Sequence, residues 1–248
     1  MKQHLYIGID DTDNRESRGT GYRARKMADL LLNEKLGLIE GISRHQLYVH
    51  QDIPYTSQNS SACLEIYTDN LDDLIGFCRS FLKKDSAQGS DVGLCVAKSE
   101  QITQELIDFG FSAKDTVLNQ DLAKNMAASH NIFLEGLTGN FDGIIGALAA
   151  TGLRASGKDG RFIWLKDMDL REFKGIFTAQ QILEKSTIDE IQTTKGESLL
   201  NNELIYLGEW VRPVLQNNHK ILIIEKTENK NEYEWQVANK EYIKSISQ

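Results

Sequence analysis

Residues 7–25 of the chain read IGIDDTDNRESRGTGYRAR and combine an apolar strand, a group of acids and the start of a helix. The strand runs directly into Asp10, Asp11 and Asp13, which we name the acid cluster. Carboxylates this close repel one another unless a cation lies between them. Mg²⁺, held by oxygen ligands and shared with substrate phosphates, is the usual solution. The segment therefore favours a metal–nucleotide site.

A threonine between two glycines, Thr20, opens the predicted helix over 22–36. The first turn of this helix is basic, although basic residues there oppose the helix dipole. That choice makes sense if an anion binds there, because the free N–H groups of a helix start already form a phosphate site. We predict that Thr20 is a phosphate ligand or a transient phosphoryl acceptor. The predicted nucleotide contacts around it are Gly19, Gly21 and Arg23.

Each of these residues also has a structural interpretation. Asp10 and Asp11 could end the strand, Asp13 and Asn14 could form an Asx-turn, and Thr20 could be an ordinary N-cap. Alternation along an extended segment places Asp11 and Asp13 on one side, and Asp10 on the other unless the chain turns there. The conjunction of all these residues favours a site.

Two loops and a helix supply further candidate contacts. Polar side chains in one loop could hydrogen-bond a nucleotide or substrate, and glycines in the other allow the backbone to approach phosphates. A solvated loop, a plain turn and tight helix packing are the alternatives. No Walker A or Rossmann fingerprint is present. The candidates are Asn59, Ser60 and Ser61 in the first loop, Gly89, Asp91 and Gly93 in the second, and Gly143 in the helix.

Three blocks of sequence carry a family resemblance: the N-terminal segment, the Ile-Pro-Tyr segment 53–55 and the small-residue segment 143–152, GIIGALAATG. In this order they resemble the archaeal tRNA-isoleucine agmatidine synthetase family. The resemblance implies an ATP-dependent enzyme whose kinase-like domain binds ATP and Mg²⁺ through the acid cluster. It further implies that the enzyme phosphorylates its own threonine, here Thr20, and a tRNA cytidine, after which agmatine displaces the activated position.

The chain also departs from that family. It ends at Gln248, and its three cysteines form no C-x-x-C pair, so we expect the family's OB-fold and zinc ribbon to be missing. Where the family typically has Gly-Asn-Gly, residues 59–61 read Asn-Ser-Ser. The catalytic core thus resembles the family while the tRNA-gripping parts do not, which puts the family's substrate in doubt.

The composition and charge of the chain limit the kinds of ligand and partner that it is expected to bind. The net charge is −8, whereas a tRNA-binding protein more often carries a basic face, so tRNA is possible but not favoured. The chain has no apolar run of about 18 residues, which predicts no membrane span. Scattered cysteines and an N-terminus unlike a signal peptide predict a cytoplasmic protein. The expected ligand is a nucleotide, with an unidentified acceptor.

The hydrophobic pattern predicts an α+β fold. Over residues 1–98 the order is βαββαβ, the ferredoxin-like pattern, and this segment holds the acid cluster. The predicted strands are 5–9, 45–50, 62–67 and 93–97, and the helices are 22–36 and 71–82.

Residues 99–185 are predicted to form a second α/β part that completes the catalytic core, and 204–248 a small β-module. The segment 186–203 between them is polar and linker-like, and turns are expected at 217–218 and 228–231. The predicted helices are 101–109, 120–129, 142–151 and 179–185, and the strands are 132–137, 161–165, 204–207, 220–225 and 233–237.

Three functions compete at this point. The first is ATP- and Mg²⁺-dependent phosphoryl transfer, in which a protein mainly positions groups and neutralises charge. The second is a nucleotide-binding or sensing module without turnover. The third is tRNA modification with a partner chain that supplies the grip.

Overall fold

The structure is a computed structural model that describes residues 2–56, 58–228 and 232–247. The chain forms two compact units, one ending at Ser156 and the other beginning at Gly157. Helices and mostly antiparallel strands alternate irregularly, which confirms the α+β class. The segments 1–98, 99–185 and 204–248 remain predictions about domain organisation.

The first unit begins with the predicted βαββαβ order. Neighbouring strands run in the order β4-β1-β3-β2, and every adjacent pair is antiparallel. The elements are β1 (Gln3–Asp10), α1 (Thr20–Asn33), β2 (Leu38–Gln46), β3 (Ser60–Thr68), α2 (Leu71–Asp85) and β4 (Gly93–Lys98).

Two boundaries in this part differ from the prediction. The helix predicted over 22–36 begins and ends earlier, and the strand predicted over 45–50 is replaced by β2, which ends at Gln46. Lys35 adopts a left-handed conformation with φ of 56°, which ends the helix. Gly37 lies so close to β3 that a Cβ there would be 2.6 Å from Ile66 Cδ1. The next strand, β2, pairs with β3 from Leu38 onward, where Leu38 lies opposite Tyr67.

The rest of the first unit adds a strand and three helices. β5 pairs antiparallel with β4, and α3 packs against α5. The helix predicted over 101–109 begins later, because the Thr103 side chain accepts a hydrogen bond from the N–H of Leu106 and caps α3. These elements are a 3₁₀ turn (Ser99–Gln101), α3 (Gln104–Ser112), α4 (Gln120–Ser129), β5 (Phe133–Gly136) and α5 (Gly143–Ala155).

Helix α5 lies directly against β1 and β4. A Cβ at Gly8 would be 1.9 Å from the carbonyl oxygen of Ala147, and a Cβ at Gly93 would be 2.1 Å from the carbonyl carbon of Gly143. Both approaches are backbone to backbone, so neither strand position tolerates a side chain. The small residues of the helix thus serve tight packing, one of the two interpretations of this segment.

The second unit is a β-rich module with two helices among its described residues. Its strand order is β6-β10-β11-β12-β9-β7, and β8 pairs in parallel with β11. The elements are β6 (Arg161–Leu165), β7 (Gly175–Thr178), α6 (Ala179–Lys185), β8 (Glu190–Thr193), β9 (Leu204–Leu207), β10 (Val214–Gln216), β11 (His219–Lys226), β12 (Trp235–Val237) and α7 (Lys240–Ile246).

The segment 186–203, predicted to be a linker, contains β8 because Ile191 and Thr193 alternate inward while their neighbours are polar. The short elements β7, β10 and α7 were not predicted from the sequence. Asn217 and Asn218 both have positive φ and join β10 to β11, which confirms that predicted turn. The turn predicted at 228–231 lies outside the described residues except for Glu228. No helix in the described ranges is long and apolar enough to cross a membrane.

Replacing Gly8 with alanine should destabilise the protein by about 1–3 kcal/mol, because the new methyl group meets fixed backbone. Gly76→Ala in α2 is the matched control, since a Cβ at that position would have no other atom within 4 Å. That change should stabilise the helix by about 0.5–1 kcal/mol. Urea unfolding of both variants measures the difference, and equal stabilities would contradict the packing argument.

Candidate functional site

A cavity of about 530 Å³ opens in the first unit where β1 ends. The acid cluster and Thr20 line one part of it, and the loop between β2 and β3 lines another. The start of α4 with the loop before it, and the first turn of α5, complete the wall. The lining residues outside the acid cluster are Thr20, Leu47, Asp52, Ile53, Pro54, Tyr55, Thr56, Gln58, Asn59, Ser60, Ala113, Thr116, Val117, Leu118, Asn119, Gln120, Asp121, Lys124, Asp142, Gly143, Ile145 and Gly146.

All three carboxylates of the acid cluster line this cavity. Strict alternation would place Asp10 opposite Asp11 and Asp13, unless the chain turned there. It does turn, because Asp11 has φ of 50°, a left-handed conformation that aspartate tolerates better than most residues. The turn brings Asp10, the last residue of β1, to the same cavity as the other two.

The electrostatics of the acid cluster disfavour three negative charges. Burial raises the pKa of Asp10 to about 8, and the charges of Asp11 and Asp13 add to that rise, while Arg44 lowers it. Burial also raises the pKa of Asp11 to about 6, with repulsion from Asp91 and Asp13 adding to it. A cation placed among these carboxylates would relieve the repulsion.

The hydroxyl of Thr20 is part of a short chain of hydrogen bonds. It accepts from Thr12 Oγ1 at 3.1 Å and donates to Asp13 Oδ1 at 3.1 Å. The other oxygen of Asp13 accepts from Thr56 Oγ1 at 2.8 Å. Gly19 rather than Thr20 occupies the N-cap position of α1. Thr20 is therefore not an ordinary cap, and it presents a hydroxyl bonded to a carboxylate, the geometry of a nucleophile beside a base.

The basic side chains at the start of α1 are engaged elsewhere. Arg23 Nε donates to the carbonyl of Asp85 at 3.0 Å, and its guanidinium also bonds the carbonyl of Arg18. Lys26 pairs with the Asp85 carboxylate. Arg23, Gly19 and Gly21 are not among the described lining residues, so their predicted nucleotide contact remains a prediction.

The first predicted loop is divided between the cavity and the sheet. Asn59 and Ser60 line the cavity, while Ser61 is fully buried in β3. Asn59 Nδ2 donates to the carbonyl of Tyr48 at 2.6 Å, and Ser60 Oγ accepts from Arg44 Nε at 2.9 Å. These bonds fix the shape of the loop around the cavity.

The second predicted loop braces the fold beside the cavity. Asp91 Oδ1 accepts from the N–H of Asn140 at 2.6 Å, and its carbonyl accepts from the N–H of Gly143 at 2.8 Å. Gly89 has φ of 79° and faces open space, and Gly93 lies against Gly143. None of these three loop residues is among the described residues that line the cavity, whereas the helix candidate Gly143 does line it.

The wall formed by Ala113, residues 116–121 and Lys124 was not anticipated from the sequence, whereas Asp142 belongs to the first turn of the small-residue helix, which could be expected to face a ligand. Gln120 Nε2 donates to Asp142 Oδ1 at 2.7 Å and so joins α4 to the start of α5. Gly146 makes room for the acid cluster, since a Cβ there would lie 1.8 Å from Asp10 Oδ2. The residues that make these contacts are far apart in the sequence, so no local sequence motif predicts them.

The donor set of the acid cluster suits a hard cation, because carboxylate oxygens are the ligands that Mg²⁺ takes. No group of three or more His, Cys, Asp or Glu side chains in the described residues is already arranged to hold a metal. Mg²⁺ usually keeps several waters and binds through one or two carboxylates plus phosphates. The residues therefore fit a cation that arrives with a nucleotide.

No family model matches the chain. The uncharacterized protein MJ0921 of Methanocaldococcus jannaschii is 30% identical over 159 residues, which cover 61% of this chain and 50% of that protein. The chain thus spans about half the length of this curated relative.

Solved structures of the agmatidine synthetase TiaS, which acts on an isoleucine tRNA, share the fold. The structure without ligands superposes with a TM-score of 0.52 at 23% identity, covering 60% of this chain and 35% of that one. Its complex with tRNA and ATP gives 0.54 at 23%, covering 60% and 36%. The complex with tRNA, AMPCPP and agmatine gives 0.53 at 23%, with the same coverage. At this identity the similarity establishes the fold.

The raised pKa of Asp10 predicts how stability changes with pH. Its folded-state pKa of about 8 exceeds the ordinary value of 3.8, so its contribution to stability is present below 3.8 and is lost as pH rises through about 8. Asp10→Asn removes this loss. Its melting temperature should exceed that of wild type at alkaline pH and match it near 3.8. Asp69→Asn, at an exposed loop position, is the control. A difference in melting temperature between Asp10→Asn and wild type that does not change with pH would contradict a raised pKa of Asp10.

Proposed function

We propose that this chain contains the catalytic core of an ATP- and Mg²⁺-dependent phosphoryl-transfer enzyme that acts on a small molecule or another unidentified acceptor. The observation that carries the proposal is the hydrogen bond from Thr20 to Asp13, at a cavity lined by three neighbouring carboxylates. The cavity volume of about 530 Å³ lies in the range typical of small-molecule sites.

In this proposal the phosphates of ATP lie at the acid cluster and the rest of the nucleotide extends along the cavity. Asp11 and Asp13 would hold Mg²⁺, which would supply the positive charge that phosphoryl transfer requires. Tyr55 and Val117 both line the cavity and are partly exposed, so they offer apolar surface to a base or an acceptor.

Thr20 takes the phosphoryl group transiently. Its oxygen forms a bond to the γ-phosphorus while the bond between that phosphorus and the leaving oxygen of ADP breaks. Asp13 Oδ1, already the acceptor of the Thr20 hydrogen bond, receives the hydroxyl proton. In the second step the acceptor's nucleophilic atom bonds to the phosphorus while the bond between Thr20 Oγ1 and phosphorus breaks. Asp13 returns the proton to Thr20, and the acceptor releases its own proton to solvent. Thr12 donates to Thr20 Oγ1 and so orients the side chain.

Similar structures support nucleotide use, since TiaS has been solved with ATP and with AMPCPP. The same structures contain tRNA, but the net charge of −8 weighs against tRNA as the acceptor for this chain. A nucleotide-binding module without turnover is the second candidate. Product formation after incubation with ATP and Mg²⁺ separates the two.

ATP should bind only together with a divalent cation, because the acid cluster would otherwise repel the phosphates. Isothermal titration calorimetry with ATP in Mg²⁺ and in EDTA measures this difference. Equal affinity in the two buffers would contradict a metal-bridged site.

Asp11→Asn should reduce turnover or metal affinity at least about tenfold, because one of a few hard ligands loses its charge while the shape is kept. Asp52→Asn is the matched control, since it removes the same charge from another lining residue outside the acid cluster. Melting temperature and Mg-ATP binding are measured in both variants. An unstable Asp11→Asn protein that binds Mg-ATP normally would assign Asp11 a structural role.

Thr20→Ala should abolish ATP turnover, whereas Thr20→Ser should retain part of it because the hydroxyl and its bond to Asp13 survive. Peptide mass spectrometry after incubation with ATP and Mg²⁺ should locate phosphothreonine at Thr20. Full turnover by Thr20→Ala without any phosphothreonine would limit Thr20 to orienting Asp13.

A further inference from the structure

A threonine side chain connects the loop between β2 and β3 to the acid cluster. Thr56 Oγ1 donates to Asp13 Oδ2 at 2.8 Å, across 43 positions of sequence. Thr56 also lines the cavity. The sequence pointed instead to Asn59, Ser60 and Ser61 of this loop as ligand contacts, so tertiary structure alone reveals the contact between Thr56 and Asp13.

Other hydrogen bonds already close the base of this loop. The N–H of Leu47 donates to the carbonyl of Asn59 at 2.9 Å, which joins the two ends of the loop. The N–H of Tyr48 donates to the carbonyl of Ala113 at 2.9 Å, which attaches the first end to the segment after α3. The bond from Thr56 therefore does more than close the loop, because it also constrains a carboxylate of the acid cluster.

Three threonine hydroxyls form one directed set of hydrogen bonds around Asp13. An ionised carboxylate only accepts hydrogen bonds, so Thr20 and Thr56 both donate to it, each to a different oxygen. Thr20 has a single hydroxyl hydrogen, which it gives to Asp13, and it accepts from Thr12. The hydrogen of Thr20 therefore points at Asp13 Oδ1, while Thr56 occupies Oδ2.

The second donor controls the orientation of the carboxylate. The torsion about the Cβ–Cγ bond of an aspartate is broad, so a carboxylate held at one oxygen can still rotate. A hydrogen bond at each oxygen of Asp13 fixes the plane of the group. The two bonds use two of about four lone-pair positions, so they leave room for a cation as well.

We infer that Thr56 is a positioning residue that orients the Asp13 carboxylate for proton transfer from Thr20. The inference rests on the proposed function. As Thr20 Oγ1 bonds to the γ-phosphorus and the bond to the leaving oxygen of ADP breaks, the hydroxyl proton moves to Asp13 Oδ1. Thr56 keeps its own hydrogen and stays bonded to Oδ2, so the transferred proton remains on the oxygen that faces Thr20 and is available for return in the second step.

A purely structural role makes a different prediction. If Thr56 only attached the loop to the end of β1, its loss would displace the neighbouring lining residues Pro54 and Tyr55 and weaken Mg-ATP binding. The rate at saturating ATP would then change little. If Thr56 orients Asp13, binding should persist while the phosphorylation of Thr20 slows. The split between affinity and rate therefore separates the two roles.

The experiment uses the whole protein at saturating ATP and Mg²⁺ and follows phosphothreonine at Thr20 by rapid quenching and peptide mass spectrometry. Calorimetry with Mg²⁺ and a non-hydrolysable ATP analogue gives the affinity, and melting temperatures are recorded for every variant. Thr56→Val removes the hydroxyl and keeps the branched shape, whereas Thr56→Ser keeps the hydroxyl. Thr187→Val is the control, because the buried hydroxyl of Thr187 has no hydrogen-bond partner within the described ranges.

Thr56→Val should form phosphothreonine about tenfold to hundredfold more slowly than wild type, because misorientation forfeits part of what a positioned base contributes. Its affinity for the analogue should stay at the wild-type value. Thr56→Ser should recover most of the rate, and Thr187→Val should match wild type in both measurements. If Thr56→Val does not fold, Thr56→Ala takes its place at this partly exposed loop position.

Two results overturn the inference. One is a folded Thr56→Val protein with the wild-type rate at saturation, whether or not its affinity falls. The other is a Thr56→Ser protein as slow as Thr56→Val, since the hydroxyl would then not be the group that matters. In both cases wild type still phosphorylates Thr20, so the proposed function stands. If wild type forms no phosphothreonine at Thr20, the proposed transfer step fails and the role of Thr56 fails with it.

Discussion

The close approach of helix α5 to strands β1 and β4 is the constraint on which the candidate site depends. At Gly8 and Gly93 the backbones come so near that no side chain fits between them. This approach places the first turn of α5 beside the end of β1, and Gly146 leaves room for the carboxylate of Asp10. With larger residues the helix would stand further out and the cavity would lose that wall.

The same packing creates the electrostatic problem of the site. Because Asp10 lies against Gly143 and Gly146 of α5, its carboxylate cannot gain full hydration, and its neighbours Asp11 and Asp13 carry the same charge. Asp11 also adopts a left-handed backbone conformation, which few residues accept cheaply. Unfavourable charge and backbone conformation at one point of a well-packed domain are typical of functional sites, where stability elsewhere compensates for them.

Sequence reasoning succeeded where the information is local. The helices 120–129 and 179–185 and the strands 161–165 and 204–207 have the predicted bounds, because their periodicity and flanking residues define them. The strand predicted at 45–50 overlaps β2 only at His45 and Gln46, because the residues that pair with β3 begin at Leu38 and end at Gln46. In the site, the acid cluster and Thr20 could be found because they are adjacent in the chain. The wall at 113–121 could not, since tertiary packing alone brings it to the cavity.

The shared fold and the local charge constrain the function differently. The similarity to TiaS covers about a third of that enzyme and establishes the shared fold of that part. The cavity of this chain is, in contrast, a property of its own sequence, and its described lining contains six aspartates against a single lysine. A polyphosphate can enter such a lining only with cations that offset both sets of negative charge. Under the proposed function, the availability of a divalent cation would therefore control whether Thr20, already bonded to Asp13, meets a phosphoryl group.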